Sequence, residues 1–276
     1  MLFASNVIIL KKKQRDSNSI ICTLYTYEEG LKEVIIFTNQ KFLCSNLKLY
    51  RIYFVVFKKG TPWDRIHLFY PLYSYSRVEQ SPLKITILEY LSELIIYQLY
   101  SPENSNFIYF IFHSTLFQLN ICSNNMIFPI FIRSLYLLLQ FLGWEPELYN
   151  CVYTGESFNN NKKSNWSNSK IGFSASYGGI IKSNVLPKQE YIGFFNKDEL
   201  LFLQTIINQP IWWNCNFDDI LPKKFNHMLI HIEFLFCQFI EYQIQKRLNS
   251  SIKLNRMFRE FIDYMEQLNK HKDDLF

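Results

Sequence analysis

Five short segments rich in β-branched and aromatic residues occupy the first 75 residues, and their spacing is the strongest constraint on the fold. They run over 7–13, 20–27, 31–37, 49–57 and 66–75, with polar turn clusters at 16–19 and 28–30 between the first three. Short strands at this regular spacing predict a small closed antiparallel barrel. The five-stranded OB barrel is the best-known barrel of this size, and its face commonly binds oligonucleotides.

The pattern changes to helical periodicity after Val78. Ser81 and Pro82 place an N-cap residue before a proline at the first helical position, and apolar residues then recur at spacings of three and four. Asn196 and Glu199 predict a capping box at a later helix start. The sequence therefore predicts an α+β protein with an OB-type barrel over 1–78, a helical domain over 79–148, an irregular segment over 149–190 and C-terminal helices over 191–276.

Positive charge is concentrated in the first sixty residues. They hold ten basic and four acidic residues, a net charge of +6, whereas the whole chain is +5, so the remainder carries −1. A basic sheet on a nearly neutral body indicates a polyanion-binding surface, although a solvated charged face is the simpler interpretation of the residues alone. The candidate phosphate contacts are Lys11, Lys12, Lys13, Arg15, Lys41, Lys48, Arg51, Lys58 and Lys59.

Composition bears on where the protein resides. Phe, Tyr, Ile, Asn and Lys are abundant and Gly is scarce, as AT-rich coding produces in organelles and some bacteria. The longest apolar run, 126–143, is interrupted by Pro129 and Arg133, so it is too short for a membrane span. We expect a soluble, non-secreted protein with no membrane contact, located in a plastid (the chloroplast stroma) or, alternatively, in a bacterial cytoplasm.

Three collinear motifs resemble the RecO family of recombination mediators. The first, over 7–32, contains VIIL, the polar turn DSNS, the strand LYT and the glycine turn EEGLK. The second, over 141–155, contains FLGWEPEL and CVYTG, which resemble the family's entry into a small zinc finger. The third, over 173–179, begins with FS and ends with GG, like the hairpin that precedes the family's second cysteine pair.

The resemblance implies both a fold and a function. It implies an OB barrel, then a helical domain with a finger-like insertion, in a DNA repair and recombination protein that binds single- and double-stranded DNA. It also implies annealing of complementary strands and loading of the RecA recombinase onto DNA coated by single-strand-binding protein, usually with RecR. No enzymatic turnover and no cofactor is expected.

Two departures from the family pattern leave an alternative open. Thr154 stands where the family has the partner of Cys151, and residues 180–184, directly after Gly179, contain no cysteine, so we predict a degenerate, metal-free finger. The loop at 38–44 keeps a single basic residue, Lys41. The alternative is an interaction scaffold that has the RecO fold but has lost DNA binding.

The aromatic residues of the barrel are candidates for stacking against bases. Tyr25, Tyr50, Tyr53 and Phe54 lie in predicted strands. Alternation along a strand buries about half of such residues, so core packing is the expected role of any single one, and Tyr50 and Tyr53 should not share a face.

Other residue pairs give weak signals of chemistry. His227 and His231 lie four residues apart on a predicted helix, as metal ligands can, but Met228 replaces the glutamate of the zincin motif. A metal enzyme is therefore only a third interpretation. Asp218 and Asp219 precede a helix and are expected to cap it.

Overall fold

The computed structural model of the chain divides into two compact units, Met1–Ile121 and Cys122–Phe276. Each unit is described by itself below. The structure describes residues 1–37, 46–61, 63–98, 105–158, 170–183, 185–209 and 225–273.

The first unit begins with a closed five-stranded barrel in the order β1-β2-β3-β5-β4, in which β4 pairs back onto β1. All pairings are antiparallel except β3–β5, which is parallel through Val34–Asp64 and Ile35–Arg65. This strand order is that of the OB barrel, so the predicted fold class is confirmed. The strands are β1 (Leu2–Asp16), β2 (Ser19–Thr26), β3 (Gly30–Phe37), β4 (Ile52–Lys58) and β5 (Asp64–Tyr73).

The barrel interior is apolar because alternate residues of each strand point inward. Three helices follow in the same unit: α1 (Ser76–Glu79), α2 (Pro82–Gln98) and α3 (Ser105–Ile121). Helix α3 packs on β2 and β3, and α2 packs on β1. The compact unit thus continues past residue 78, and the domain limits inferred from composition remain predictions. The inward residues are Val7, Ile9, Cys22, Leu24, Val34, Ile36, Leu47, Tyr53, Val55, Phe57 and Ile66.

The second unit is a set of helices around a small sheet. Its sheet has the order β7-β6-β8, and Phe173 of β6 lies fully buried with its ring centroid 5.4 Å from that of Phe239 and 6.3 Å from that of Phe236. No described helix is long and apolar enough to cross a membrane. The elements are α4 (Ile127–Phe141), β6 (Ile171–Ser174), β7 (Gly179–Lys182), β8 (Gly193–Phe195), α5 (Lys197–Ile207), α6 (Phe225–Ile244) and α7 (Asn249–Asp273).

Helix α5 begins at the capping box that the sequence predicts. The Glu199 backbone N–H donates to Asn196 Oδ1 at 2.8 Å, and the Asn196 backbone N–H donates to Glu199 Oε2 at 2.8 Å. Both backbone donors would otherwise lack a partner at the helix terminus. The prediction from two residues three apart is confirmed.

Helix α6 carries a matched pair of phenylalanines that tests the packing of this unit. Phe236 is fully buried, whereas Phe234 is 41% exposed. We expect Phe236→Ala to lower the free energy of unfolding by about 3–5 kcal/mol, because it removes a buried ring and leaves a cavity. Phe234→Ala should change it by less than about 1 kcal/mol. Urea denaturation followed by circular dichroism measures both, and equal losses would contradict this packing.

A buried carboxylic acid lies between α6 and α7. Glu233 is fully buried; Cys237 Sγ donates to its Oε1 at 3.1 Å and Asn255 Nδ2 donates to its Oε2 at 3.1 Å. Burial raises the pKa of Glu233 to about 7, while the two hydrogen bonds and Arg259 act in the opposite direction and Glu241 raises the pKa further. The group therefore holds a proton well above the pH at which an exposed glutamate loses it.

This raised pKa gives a pH dependence of stability. The folded state binds the proton more tightly than the unfolded state, so stability falls as pH rises from the ordinary value of 4.5 to about 7 and then levels off. The loss from this group should approach about 3 kcal/mol. Glu233→Gln should remove this fall, as measured by urea denaturation across pH. Glu260→Gln, which changes an exposed acid of α7, should keep it.

Candidate nucleic-acid interface

The alternation of inward and outward side chains along β1 is interrupted at Leu10. Ile9 pairs with Leu24 and Lys11 pairs with Thr23, so Leu10 is an extra residue on β1, a β-bulge. Ile9 and Leu24 both point into the barrel core. Because successive residues of a strand point to opposite faces, the extra residue moves Lys11 from the inward face to the outward one.

The three consecutive lysines therefore divide between two faces. Lys12 pairs with the core residue Cys22, and its Nζ donates a hydrogen bond to the carbonyl of Leu47. Lys11 and Lys13 lie on the outer face and are exposed. Two of the three predicted contacts are thus available to a ligand, and the third has a structural partner.

A row of residues crosses the outer face of the barrel at the level of Lys13. Lys13 pairs with Ile21, Ile21 with Ile35, Ile35 with Arg65, and Arg65 with Lys58, so the row passes through all five strands. Lys13, Arg65 and Lys58 are exposed, and none of the three forms an ion pair with a described residue. Arg65 and Lys58 lie directly opposite each other on neighbouring strands, and like charges in that position repel.

A cleft of about 490 Å³ opens beside this row. Its walls come from the β1–β2 turn and the loop between β4 and β5, which are the loops that bind ligands in OB barrels. The ends of β3 and β5 complete the walls. The lining residues are Arg15, Asp16, Ser17, Asn18, Ser19, Ile35, Phe37, Thr61, Trp63 and Arg65.

Two arginine–aromatic pairs line the cleft. The guanidinium carbon of Arg15 lies 4.4 Å from the centroid of the Trp63 ring, and that of Arg65 lies 5.3 Å from the centroid of Phe37. Both distances are within cation–π range. The pairs hold flat, positively charged surfaces at two places in one cleft.

Asp16 is the single acidic residue among those that line the cleft. Its Oδ2 accepts from the Ser19 hydroxyl at 2.7 Å and its Oδ1 accepts from the Asn18 backbone N–H at 2.7 Å. The Ser19 hydrogen bond, followed by that of Asn18 and the charge of Arg15, lowers the pKa of Asp16. The carboxylate is therefore ionised at neutral pH, and its side chain remains half exposed.

Two other basic residues are held in ion pairs within the fold. Lys32 Nζ lies 2.6 Å from a Glu29 oxygen and 2.8 Å from Asp64 Oδ2. Arg51 forms a two-pronged pair with Glu79, with 2.9 Å between Nη2 and Oε2. These positive charges are already neutralised, unlike those of the outer row.

The remaining predicted basic contacts lie at the ends of β4. Lys48 precedes the strand and Lys59 follows it, and both are exposed. The backbone N–H of Lys59 donates a hydrogen bond to the Met1 carbonyl at 3.1 Å, and this bond does not involve the Lys59 side chain. Lys41 lies outside the described residues.

The aromatic candidates divide as strand alternation requires. Tyr25, Tyr50 and Tyr53 are buried, with Tyr53 inside the barrel and Tyr50 against Phe112 of α3, so the two do not share a face. Phe54 is 37% exposed on the outer wall. Sequence reasoning missed the aromatic residues of the cleft, Phe37 and Trp63, although Trp63 lies in the β4–β5 loop, which binds ligands in OB barrels, and aromatic rings stack with bases.

Comparisons with known proteins agree with this architecture. The family model described as "Recombination protein O C terminal" matches residues 79–192. Proteins described as DNA repair protein RecO, from Synechococcus elongatus and another Synechococcus strain, are each 21% identical over 207 residues, which cover 74% of this chain and 75% of theirs. The chain is thus similar to proteins of the RecO family.

Another relative is much more similar to this chain. A Cyanophora paradoxa protein, described as an uncharacterized 24.3 kDa protein in the hemA-psbN intergenic region, is 80% identical over 200 residues. The match covers 72% of this chain and 97% of that protein.

Backbone contacts hold the segment that resembles a zinc finger. The Glu147 N–H donates to the Gly178 carbonyl at 3.0 Å, and the Ile180 N–H donates to the Glu147 carbonyl at 2.9 Å. Gly178 has a φ of +76°, and a Cβ on Gly179 would lie 2.6 Å from the Glu147 carbonyl oxygen. The double glycine of the third motif is thus explained by the turn and by this close approach.

The candidate metal ligands do not converge among the described residues. Cys151 is buried; burial raises the pKa of its thiol, but hydrogen bonds from Thr154 and from backbone N–H groups outweigh this, so the pKa lies below the ordinary value. His231 Nδ1 lies 3.1 Å from Glu199 Oε1. The described part of the chain holds no group of three His, Cys, Asp or Glu residues that could bind a metal. The His227 side chain, Asp218 and Asp219 lie outside it.

The Arg51–Glu79 ion pair predicts a stability effect. Arg51→Met should lower the free energy of unfolding by about 0.5–1 kcal/mol at neutral pH, because it removes a partly buried pair. Hydrogen bonding to Arg51 lowers the pKa of Glu79, so the contribution is present above the ordinary value of 4.5 and lost as pH falls through the folded pKa. Urea denaturation at neutral and acid pH measures this. Lys13→Met, an equal loss of charge without an ion pair, is the control and should have little effect.

Proposed function

We propose that this protein binds single- and double-stranded DNA through the outer face of its barrel, and acts in DNA repair and recombination without enzymatic turnover. The observation that supports this best is the row of exposed cations Lys13, Arg65 and Lys58, which form no ion pair with any described residue. Lys11 and Arg15 extend the same face along β1.

A nucleic-acid backbone supplies the counter-charge that this row lacks. Each phosphate that contacts a lysine or arginine releases condensed counterions, so binding is sequence-independent and weakens with salt. Phosphates also relieve the repulsion between Arg65 and Lys58, which are direct neighbours across β4 and β5. Neutral or cationic surfaces gain nothing from such an arrangement.

Strand annealing follows from the same electrostatics. Two complementary strands repel each other through their phosphates, and cations that neutralise some of these phosphates lower the repulsion when the strands meet. Similarity to the RecO family supports a role in repair and recombination in general. On this basis we also propose recombinase loading, with RecR, RecA and single-strand-binding protein as partners.

The alternative is a scaffold that keeps the RecO fold without binding DNA. Three basic residues of the first sixty, Lys12, Lys32 and Arg51, form bonds within the fold. Fewer cations therefore remain for DNA, which favours this alternative. A scaffold would show no steep loss of DNA affinity with salt.

We propose a plastid location. The support is the relative that is 80% identical over 200 residues and is encoded in the hemA-psbN intergenic region of Cyanophora paradoxa. Within the plastid, the stroma is the compartment in which the protein would encounter the DNA that we propose it binds.

A salt series tests the proposed DNA binding. Fluorescence anisotropy with a labelled single strand should show affinity that falls steeply with salt. The variant Lys13→Ala, Lys58→Ala, Arg65→Ala should reduce the slope of log affinity against log salt by about 2, because about 0.7 is lost per phosphate contact on a single strand.

A second triple variant is the matched control. Lys188→Ala, Lys197→Ala, Arg256→Ala removes the same charge from exposed positions of the second unit and should leave the slope unchanged. Equal slope losses in both variants would mean that only net charge matters. Absence of binding by folded protein at low salt would favour the scaffold.

A further inference from the structure

The cleft beside the basic row has features that phosphate binding does not require. Its volume of about 490 Å³ falls within the range of small-ligand sites. Ile35, Phe37 and Trp63 give it apolar walls, whereas backbone phosphates need only cations at an open surface. These walls fit a flat, partly apolar group.

The two arginine–aromatic pairs offer stacking surfaces for such a group. Nucleic-acid bases that are not stacked in a helix are held on aromatic rings or on the plane of a guanidinium. Trp63 with Arg15, and Phe37 with Arg65, present both kinds of surface in one cleft. Arg65 also belongs to the basic row, so a strand whose phosphates follow the row would carry its bases past the mouth of the cleft.

Asp16 favours ligands that turn a hydrogen-bond donor, and not a phosphate, towards it in the cleft. Its ionised carboxylate repels phosphates, and its two oxygens can accept further hydrogen bonds because the side chain is half exposed. Carboxylates accept from the exocyclic amino group of cytosine. Thymine is also a single-ring base, but it presents a carbonyl oxygen at that position, which a carboxylate repels.

We propose that this cleft holds one unstacked base of a bound single strand, and that Asp16 makes the cleft select cytosine over thymine. The path of the strand rests on the proposed DNA binding, but the selection of the base depends on the cleft alone. Binding through the outer row does not depend on the nucleotide sequence. The cleft adds a preference for one base at one position of the strand.

Oligonucleotides of a single base type test the selection. Anisotropy should show oligodeoxycytidine binding at least about tenfold more tightly than oligothymidine of equal length, as one added hydrogen bond to a charged acceptor predicts. Asp16→Asn keeps the size of the side chain and the acceptor for the Asn18 N–H. It should raise affinity for both oligonucleotides and bring their ratio close to one.

Changes at Trp63 test the stacking surface. Trp63→Ala should weaken binding of both oligonucleotides by about tenfold, because base–aromatic stacking is lost. Trp63→Phe keeps a ring and should retain most of the affinity, which separates stacking from any effect on the fold. An Asp16→Asn variant with raised affinity but an unchanged ratio would mean that the carboxylate only repels phosphate, and this overturns the selection.

Nucleosides distinguish failure of this proposal from failure of the proposed function. Deoxycytidine and thymidine carry no phosphate, so saturation-transfer NMR detects their contact with the cleft without the basic row. Stronger transfer to deoxycytidine that Asp16→Asn removes supports the cleft even where oligonucleotide binding shows no salt dependence. Salt-steep oligonucleotide binding with equal affinities and no nucleoside contact overturns the cleft and leaves the DNA-binding function standing.

Discussion

The alternation of side chains along β1 controls how the basic segment is used. A regular strand would have directed Lys11 and Lys13 inward and only Lys12 outward, and burying two unpaired charges is costly. The bulge at Leu10 lies directly after the core residue Ile9, which pairs with the core residue Leu24, and it reverses the inward–outward alternation of the residues that follow. One extra residue thus reconciles an apolar barrel with a basic outer face, and the row across the five strands depends on it.

Much of the architecture could be predicted from the sequence because it follows from local patterns. Short strands with polar turns indicated the barrel, and Asn196 with Glu199 indicated the start of α5, and the structure confirms both. The availability of individual cations could not be predicted in this way. Arg51 is neutralised by Glu79, 28 positions later in the chain, and Lys12 donates a hydrogen bond to the carbonyl of Leu47, so their roles depend on tertiary pairing.

Backbone hydrogen bonds hold the segment that resembles a zinc finger. A zinc ion holds a hairpin through four side chains. Here Gly178 and Gly179 allow the chain to approach Glu147 closely enough for two main-chain hydrogen bonds. Such contacts require only that the glycines lack a Cβ, so they are independent of the redox state of any cysteine.

The neighbouring cations Arg65 and Lys58 place stability and ligand binding in opposition. An acidic residue at either position would form a cross-strand pair with the other and would make the barrel more stable. The same substitution would remove two positive charges from the row, one directly and one by neutralisation. Selection for stability alone would therefore drive this face towards charge balance, so a barrel that retains the two cations side by side is evolutionarily costly unless a polyanion is regularly present.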